Sequence, residues 1–237
     1  MGYQTVFRRY EKKYLVTQEQ YDRLAAVLAP RMERDRFSES TISNIYYDTP
    51  DFRLIRRSLE KPVYKEKLRL RSYGRADREH PVFMELKKKY RSIVYKRRLT
   101  LPYGRALDCL TGDCPWPETQ IGREIGYAMD FYPDLEPRVF LSYERDSWYA
   151  PESGLRITFD DAIRFRTADL TLDSDLWGTA LLRPDQVLME LKAPGAIPLW
   201  MVRLLTEMGL YKTSFSKYGT AYQILLEQEY KGGKRYA

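Results

Sequence analysis

Cysteine and histidine are nearly absent from this chain: Cys109 and Cys114 are its only cysteines and His80 its only histidine in 237 residues. Two cysteines without a second pair make no disulfide framework, and with one histidine they make no Cys/His zinc site. A reducing cytosol is the expected setting. His80, beside Pro81, reads as a turn residue, since a catalytic histidine is chiefly notable when it has a partner. No apolar run approaches the roughly 18 residues that a membrane span needs, and the start, Met1-Gly2-Tyr3-Gln4-Thr5-Val6-Phe7 leading into Arg8 and Arg9, lacks both a signal-peptide core and a myristoylation pattern. The expectation is a cytoplasmic protein without a membrane segment of its own, which leaves room for a membrane-bound partner. Gly/Ser linkers and internal repeats are missing too, so 1–230 is expected to form one domain, with 231–237 a disordered tail.

Acidic residues are scarce in one region. The formal charge is +7, and from Lys61 to Arg98 there are 14 basic residues against 4 acidic ones, so the excess is local. A concentrated basic segment implies an anionic partner. Its centre is Lys65-Glu66-Lys67-Leu68-Arg69-Leu70-Arg71-Ser72-Tyr73, where cations at every second position give a strand one cationic face. Side chains at i and i+2 stand about 7 Å apart, so such a row repels itself unless water or an anion lies over it. A solvated outer face of an antiparallel sheet accounts for one such strand. Recurrence along the chain is what argues for more.

Phe7 to Val16 reads as a strand with Glu11 and Lys13 on one face. Thr17 with Gln20 forms a capping box for a helix carrying Tyr21, Leu24, Ala25 and Leu28 on one stripe and ending at Pro30. Thr41 to Asp48 is strand-like, and Thr49-Pro50 opens a short helix to Leu59. Val82 to Tyr90 sets Val82, Met84 and Leu86 against Glu85, Lys87 and Lys89. After an Arg91-Ser92 turn, the strand from Ile93 to Leu101 puts Lys96 and Arg98 opposite Tyr95, Arg97 and Leu99, with the inward side ambiguous. Residues from about 103 to 132 read as a helical insertion around Pro115-Trp116-Pro117. Strands resume at Arg138–Tyr149, at Leu155–Asp160, and at Gln186–Ala193, where Glu190 and Lys192 oppose Val187, Met189 and Leu191. Two amphipathic helices follow, one from Pro198 to near Gly209 and one from about Ser216.

About eight antiparallel strands with charged faces fit either an open sheet or a closed barrel. A barrel points its charges inward only if helices cover its outside, and a narrow lumen packed with unpaired cations would cost several kcal/mol for each of them. Such a lumen must hold water and a polyanion.

The elements Glu11-x-Lys13, Arg69-Leu70-Arg71, Glu85-Leu86-Lys87, Tyr143-x-Arg145, Arg156 before Asp160, Glu190-Leu191-Lys192 and Ser216-Lys217, in this order, resemble the triphosphate tunnel fold of the CYTH superfamily, and within it the VTC (vacuolar transporter chaperone) polyphosphate polymerase domain. The likeness runs from about Val6 to Leu226. It implies an α+β fold with an eight-stranded antiparallel β-barrel covered by helices, and transfer of the γ-phosphoryl group of ATP to inorganic polyphosphate. On that resemblance Lys13, Arg69, Arg71, Lys87, Arg145, Arg156 and Lys192 are the expected catalytic cations. Lys65, Lys67, Lys96, Tyr143, Ser216 and Lys217 are expected to bind phosphate, and Glu190, helped by Glu11 and Glu85, to hold Mn²⁺ or Mg²⁺. Glu11 and Glu85 fit equally as neutralising partners of adjacent lysines, and Ser216 as a plain helix cap. Arg9 stands where the hydrolytic branches carry the first glutamate of Glu-x-Glu-x-Lys, which leans towards polymerisation or polyphosphate binding. A tripolyphosphatase or nucleoside triphosphatase, a non-catalytic polyphosphate or inositol-phosphate sensor, and a tyrosine-stacking RNA binder stay open as alternatives. Nucleic acid is the least favoured, because apolar residues alternate so strictly with the cations.

Overall fold

A computed structural model of the chain describes residues 10–35, 38–91 and 93–231. The elements follow in the order β1 (Tyr10–Thr17), α1 (Gln18–Leu28), β2 (Glu33–Arg34), β3 (Ser40–Asp48), α2 (Arg53–Leu59), β4 (Tyr64–Tyr73), β5 (Pro81–Tyr90), β6 (Ile93–Pro102), α3 (Tyr103–Thr111), α4 (Gln120–Phe131), β7 (Glu136–Ala150), β8 (Leu155–Arg166), β9 (Thr179–Ala180), β10 (Gln186–Ala193), α5 (Leu199–Glu207) and α6 (Lys217–Lys231). Eight longer strands lie on one path of paired neighbours, β1-β10-β8-β7-β3-β4-β5-β6. None of the helices among the described residues is long and apolar enough to cross a membrane.

The chain groups into two compact units. Among the described residues, the first takes 10–35, 38–41, 143–164 and 180–215, and the second takes 42–91, 93–142, 165–179 and 216–231. In the first, β1 pairs with β10 and β10 with β8, both antiparallel. One face of these strands buries Tyr14, Val16, Ile157, Phe159, Val187, Met189 and Leu191, and α1 and α5 cover it with Leu24, Leu28, Met201 and Leu205. The capping box at Thr17 and Gln20 forms as the spacing predicts.

In the second unit, β3, β4, β5 and β6 are antiparallel neighbours. Ile45, Tyr47, Leu68, Leu70, Met84 and Leu86 pack against α3 and α4 through Ala106, Ile125 and Ala128. The predicted insertion is therefore the apolar cover of this sheet. Its link crosses α4 closely: a Cβ at Gly122 would lie 2.1 Å from the Pro117 carbonyl oxygen, so only glycine fits.

Two local expectations change. The helix after Thr49-Pro50 starts at Arg53, because Asp48 sets its beginning: the carboxylate accepts from the amides of Leu54 (2.8 Å) and Ile55 (3.0 Å), and Thr49 Oγ1 accepts from the Arg53 amide. Lys231 closes α6 rather than opening the tail, and the tail expected over 232–237 lies outside the described residues. The first strand is seen from Tyr10, so Phe7 and the departure at Arg9 also lie outside them.

Candidate functional site: two charged sheet faces

In the second unit, the face opposite α3 and α4 is built by register. Arg69 pairs across to Glu85 and Arg71 to Phe83 on β5, Lys67 opposes Lys87, and Lys65 opposes Lys89. On the other side of β5, Glu85 opposes Arg98 and Lys87 opposes Lys96. This resolves β6: Lys96 and Arg98 share the cationic face, whereas Arg97 turns to α4 and bonds Glu124 at 3.0 Å.

Glu85, 1 % exposed, is the hub of that face. Its Oε2 receives Arg69 at 2.6 Å with Arg71 at 3.8 Å, and its Oε1 receives Lys96 at 2.7 Å and Arg98 at 2.6 Å. Burial alone would raise its pKa, but the four cations hold it well below the ordinary glutamate range. Burial, with Arg98 adding, lowers the Lys96 ammonium although Glu85 pulls the other way. A divalent ion at Glu85 would sit among four positive charges, so of its two expected roles this carboxylate takes the neutralising one, and the expected metal contact at Glu85 does not fit.

Other polar residues orient the cations. Arg71, 6 % exposed, donates to Asn44 Oδ1 at 2.9 Å, and Arg69 donates to the Tyr46 hydroxyl at 3.0 Å. Lys67 donates to Ser216 Oγ at 3.1 Å, and that hydroxyl also accepts from the Gly219 amide at 3.2 Å, the cap of α6. Tyr218 stacks on Tyr46 with centroids 4.4 Å apart and donates to the buried Asp48 at 2.8 Å. Asp48 thereby ties the start of α6, with Ser216 and Lys217, to the start of α2. Burial comes first in raising the Tyr218 pKa well above the ordinary tyrosine value, and Asp48 adds to it.

In the first unit, Lys13 opposes Glu190 and Glu11 opposes Lys192, while Glu190 opposes Thr158 and Lys192 opposes Arg156. Lys13 bridges the two glutamates, at 3.3 Å to Glu190 and 3.5 Å to Glu11, and donates to the Phe215 carbonyl at 2.9 Å. Lys192 holds the other Glu190 oxygen at 3.0 Å. Arg156 pairs with Asp35 at 2.7 Å, while the buried Thr158 hydroxyl beside Glu190 has no hydrogen-bond partner. Arg145 forms a two-pronged pair with the fully buried Asp160, at 2.6 and 2.7 Å, and lies over the Tyr143 ring at 5.1 Å. Burial works to lower the Arg145 pKa, but Asp160 and Tyr143 hold it well above the ordinary arginine value.

As a donor set, Glu190 and Glu11 suit a hard divalent cation, but no group of three acidic, histidine or cysteine side chains with metal-holding geometry occurs among the described residues. An ion there would draw most of its ligands from phosphate oxygens and water, as Mg²⁺ commonly does.

The expected residues thus fall into two groups. Glu11, Lys13, Tyr143, Arg145, Arg156, Glu190 and Lys192 belong to the first unit, and Lys65, Lys67, Arg69, Arg71, Glu85, Lys87, Lys96, Ser216 and Lys217 to the second. Sequence reasoning missed the residues that hold the cations: Asn44, Tyr46, Asp35 and the bonding role of Asp160. For Asn44, Tyr46 and Asp48 the signal was present, as the alternate polar positions of the strand Thr41–Asp48. Asp35 lies in an irregular stretch and gave none.

The VTC domain profile matches residues 8–226. A comparison with curated proteins finds no match. Among solved structures, a candidate adenylate cyclase from Bacillus halodurans is similar over 90% of this chain and 96% of its own, with 16% identity and a TM-score of 0.56. A candidate adenylyl cyclase from Hippeastrum, described as having a dominant triphosphatase activity, is similar over 95% of this chain and 96% of its own, with 15% identity and a TM-score of 0.52. The fold is thus the α+β tunnel fold that these proteins share. With 219 consecutive positions matched, nearly the whole length, the chain belongs to the VTC domain family.

Proposed function

We propose that this protein is a metal-dependent polyphosphate polymerase that transfers the γ-phosphoryl group of ATP to a growing polyphosphate chain. The observation that carries the reading is the cationic face of the second unit, where Lys65, Lys67, Arg69, Arg71, Lys87, Lys96 and Arg98 share a face with the buried carboxylate of Glu85. A surplus of cations held by register is suited to an extended chain of phosphates, each with its own negative charge.

Phosphoryl transfer passes through a loose transition state whose charge spreads over the equatorial oxygens, so the protein contributes mainly positioning and neutralisation. A terminal polyphosphate oxygen attacks the γ-phosphorus, the bond to the β-phosphate bridging oxygen breaks, and ADP leaves with that electron pair. Arg69 and Arg71 offer planar forks to phosphate oxygens, kept in orientation by Tyr46, Asn44 and Glu85. Within the first unit, Lys13, Lys192, Arg145 and Arg156 offer a second set of cations for phosphate, with Tyr143 beside Arg145. Glu190, with Glu11, would hold the Mn²⁺ or Mg²⁺, which neutralises phosphate charge when bound. Lys13 and Lys192 occupy Glu190 until phosphate draws them away.

The test is incubation with ATP and Mn²⁺, followed by gel separation of polyphosphate and an assay of free phosphate on the same sample. Polymer with ADP is expected, and Arg71→Ala or Glu190→Gln should lower polymer yield at least 100-fold. Wild-type yield in either variant sinks the site assignment. The triphosphatase reading draws on the Hippeastrum neighbour, and free phosphate without polymer would establish it in place of the polymerase.

A further inference from the structure

At one end of β4, β5 and β6 the second unit exposes apolar side chains among cations. Val63 is 62 % exposed, Tyr90 46 %, Val94 38 % and Tyr64 37 %. Register sets them at the same strand ends but on both faces: Tyr64 opposes Tyr90 on the face of Leu68 and Leu86, Val94 opposes Lys89 on the cationic face, and the Arg91 amide donates to the Val63 carbonyl at 2.6 Å, so the two turns meet at the tip. The sheet interior and the α3–α4 cover leave these residues outside.

The cations of the same end repel one another. Lys65 opposes Lys89 in register and anchors its ammonium on the Ser58 carbonyl at 2.9 Å. Burial lowers its pKa, and Lys89 and Lys61 lower it further. Glu66 is buried and accepts from the Tyr64 and Tyr132 hydroxyls, at 2.8 and 2.7 Å, while Glu60, beside Lys61, is exposed.

The two turns also hold cations where they cost most. Lys61 has φ 56° and Arg91 has φ 52°, in the left-handed region that glycine adopts freely and that burdens other residues. A basic side chain at both points is explained if the side chains themselves are used. Arg91 additionally covers the Tyr90 ring at 5.4 Å.

We propose that this end of the second unit docks on an anionic lipid surface, with Val63, Val94, Tyr64 and Tyr90 entering the headgroup layer and Lys61 and Arg91 pairing with lipid phosphates. A soluble phosphate compound would need the cations alone. The exposed valines and tyrosines between them call for a partner that is apolar just beneath its charge, as a bilayer is. Each basic residue close to an anionic leaflet adds roughly fivefold to binding. This surface is independent of the polymerase reading, and either can fail without the other.

The experiment is co-sedimentation of the full chain with phosphatidylglycerol vesicles and with neutral phosphatidylcholine vesicles at about 0.1 M salt, near the physiological screening range. Binding to the anionic vesicles only is expected. Val63→Asp with Val94→Asp, and separately Lys61→Glu with Arg91→Glu, should each reduce it at least tenfold without changing the circular-dichroism melt. As a gain of signal that does not depend on a loss, Val63→Trp should shift emission to the blue with anionic vesicles and not with soluble tripolyphosphate. Failure to sediment, equal binding to neutral vesicles, or full binding by the Val63→Asp/Val94→Asp protein overturns the proposal. So does tighter binding to random single-stranded oligonucleotides than to vesicles.

Discussion

Two buried carboxylates carry opposite consequences for the cations around them. Glu85 serves four at once, so Glu85→Gln leaves Arg69, Arg71, Lys96 and Arg98 facing one another. Removing it is expected to cost on the order of 3 kcal/mol in a urea melt, and added tripolyphosphate should recover part of that by taking the carboxylate's place. The same residue gives a pH signature. Its folded pKa is depressed, so its stabilisation is complete above the ordinary glutamate value, near 4.3, and is lost as pH falls below it towards the lower folded value. Stability of the wild type should therefore drop more steeply below about pH 4 than that of Glu85→Gln, and parallel acid melts of the two would count against the hub. Asp160 holds Arg145 through two short bonds. Asp160→Asn should free that guanidinium, lowering stability by roughly 2 to 3 kcal/mol.

At the scale of elements, Asp48 is the junction. It accepts from Thr49, Leu54 and Ile55 amides and from the Tyr218 hydroxyl, so one side chain starts α2 and anchors α6. Tyr218→Phe removes one of these bonds and keeps the stack on Tyr46, and should cost about 1 kcal/mol, whereas Asp48→Ala orphans buried amides and should cost about 3 kcal/mol. Chemical denaturation separates the two, and equal costs would mean that the carboxylate is not the junction. The Thr17 cap of α1 is exposed and simpler: Thr17→Ala should cost about 1 kcal/mol. Element periodicity was legible before any coordinates. The alternation of Val82, Met84 and Leu86 with Glu85 and Lys87 fixed which face of β5 would be buried, and those three apolar residues are buried. β6 was illegible because both of its faces carry cations, and only the partners, Glu124 for Arg97 and Glu85 for Lys96 and Arg98, separate them.

For the whole molecule, the local cation excess should dominate binding. Tripolyphosphate is expected to raise the melting temperature, by an amount equivalent to about 2.7 kcal/mol when its concentration is 100 times Kd. The rise should shrink as salt goes from about 50 mM to 500 mM, because exposed charges are screened within a few ångströms at high ionic strength. A rise independent of salt would point to a contact other than the cationic faces.

Composition and period two by themselves determined that the chain builds antiparallel strands with one apolar and one charged face, where helices must cover the apolar side, and concentrated the positive charge on the stretch from Lys61 to Arg98. Those features rest on local alternation, which any strand must obey. Tertiary structure alone decided which cation each acid serves. Arg69 and Glu85 are 16 residues apart, Lys67 and Ser216 are 149 apart, and Asp48 and Tyr218 are 170 apart, and each pair meets within hydrogen-bonding distance. No local pattern encodes a separation of that length. Strand register and helix docking set it, and they in turn follow from burying the apolar faces of the whole fold.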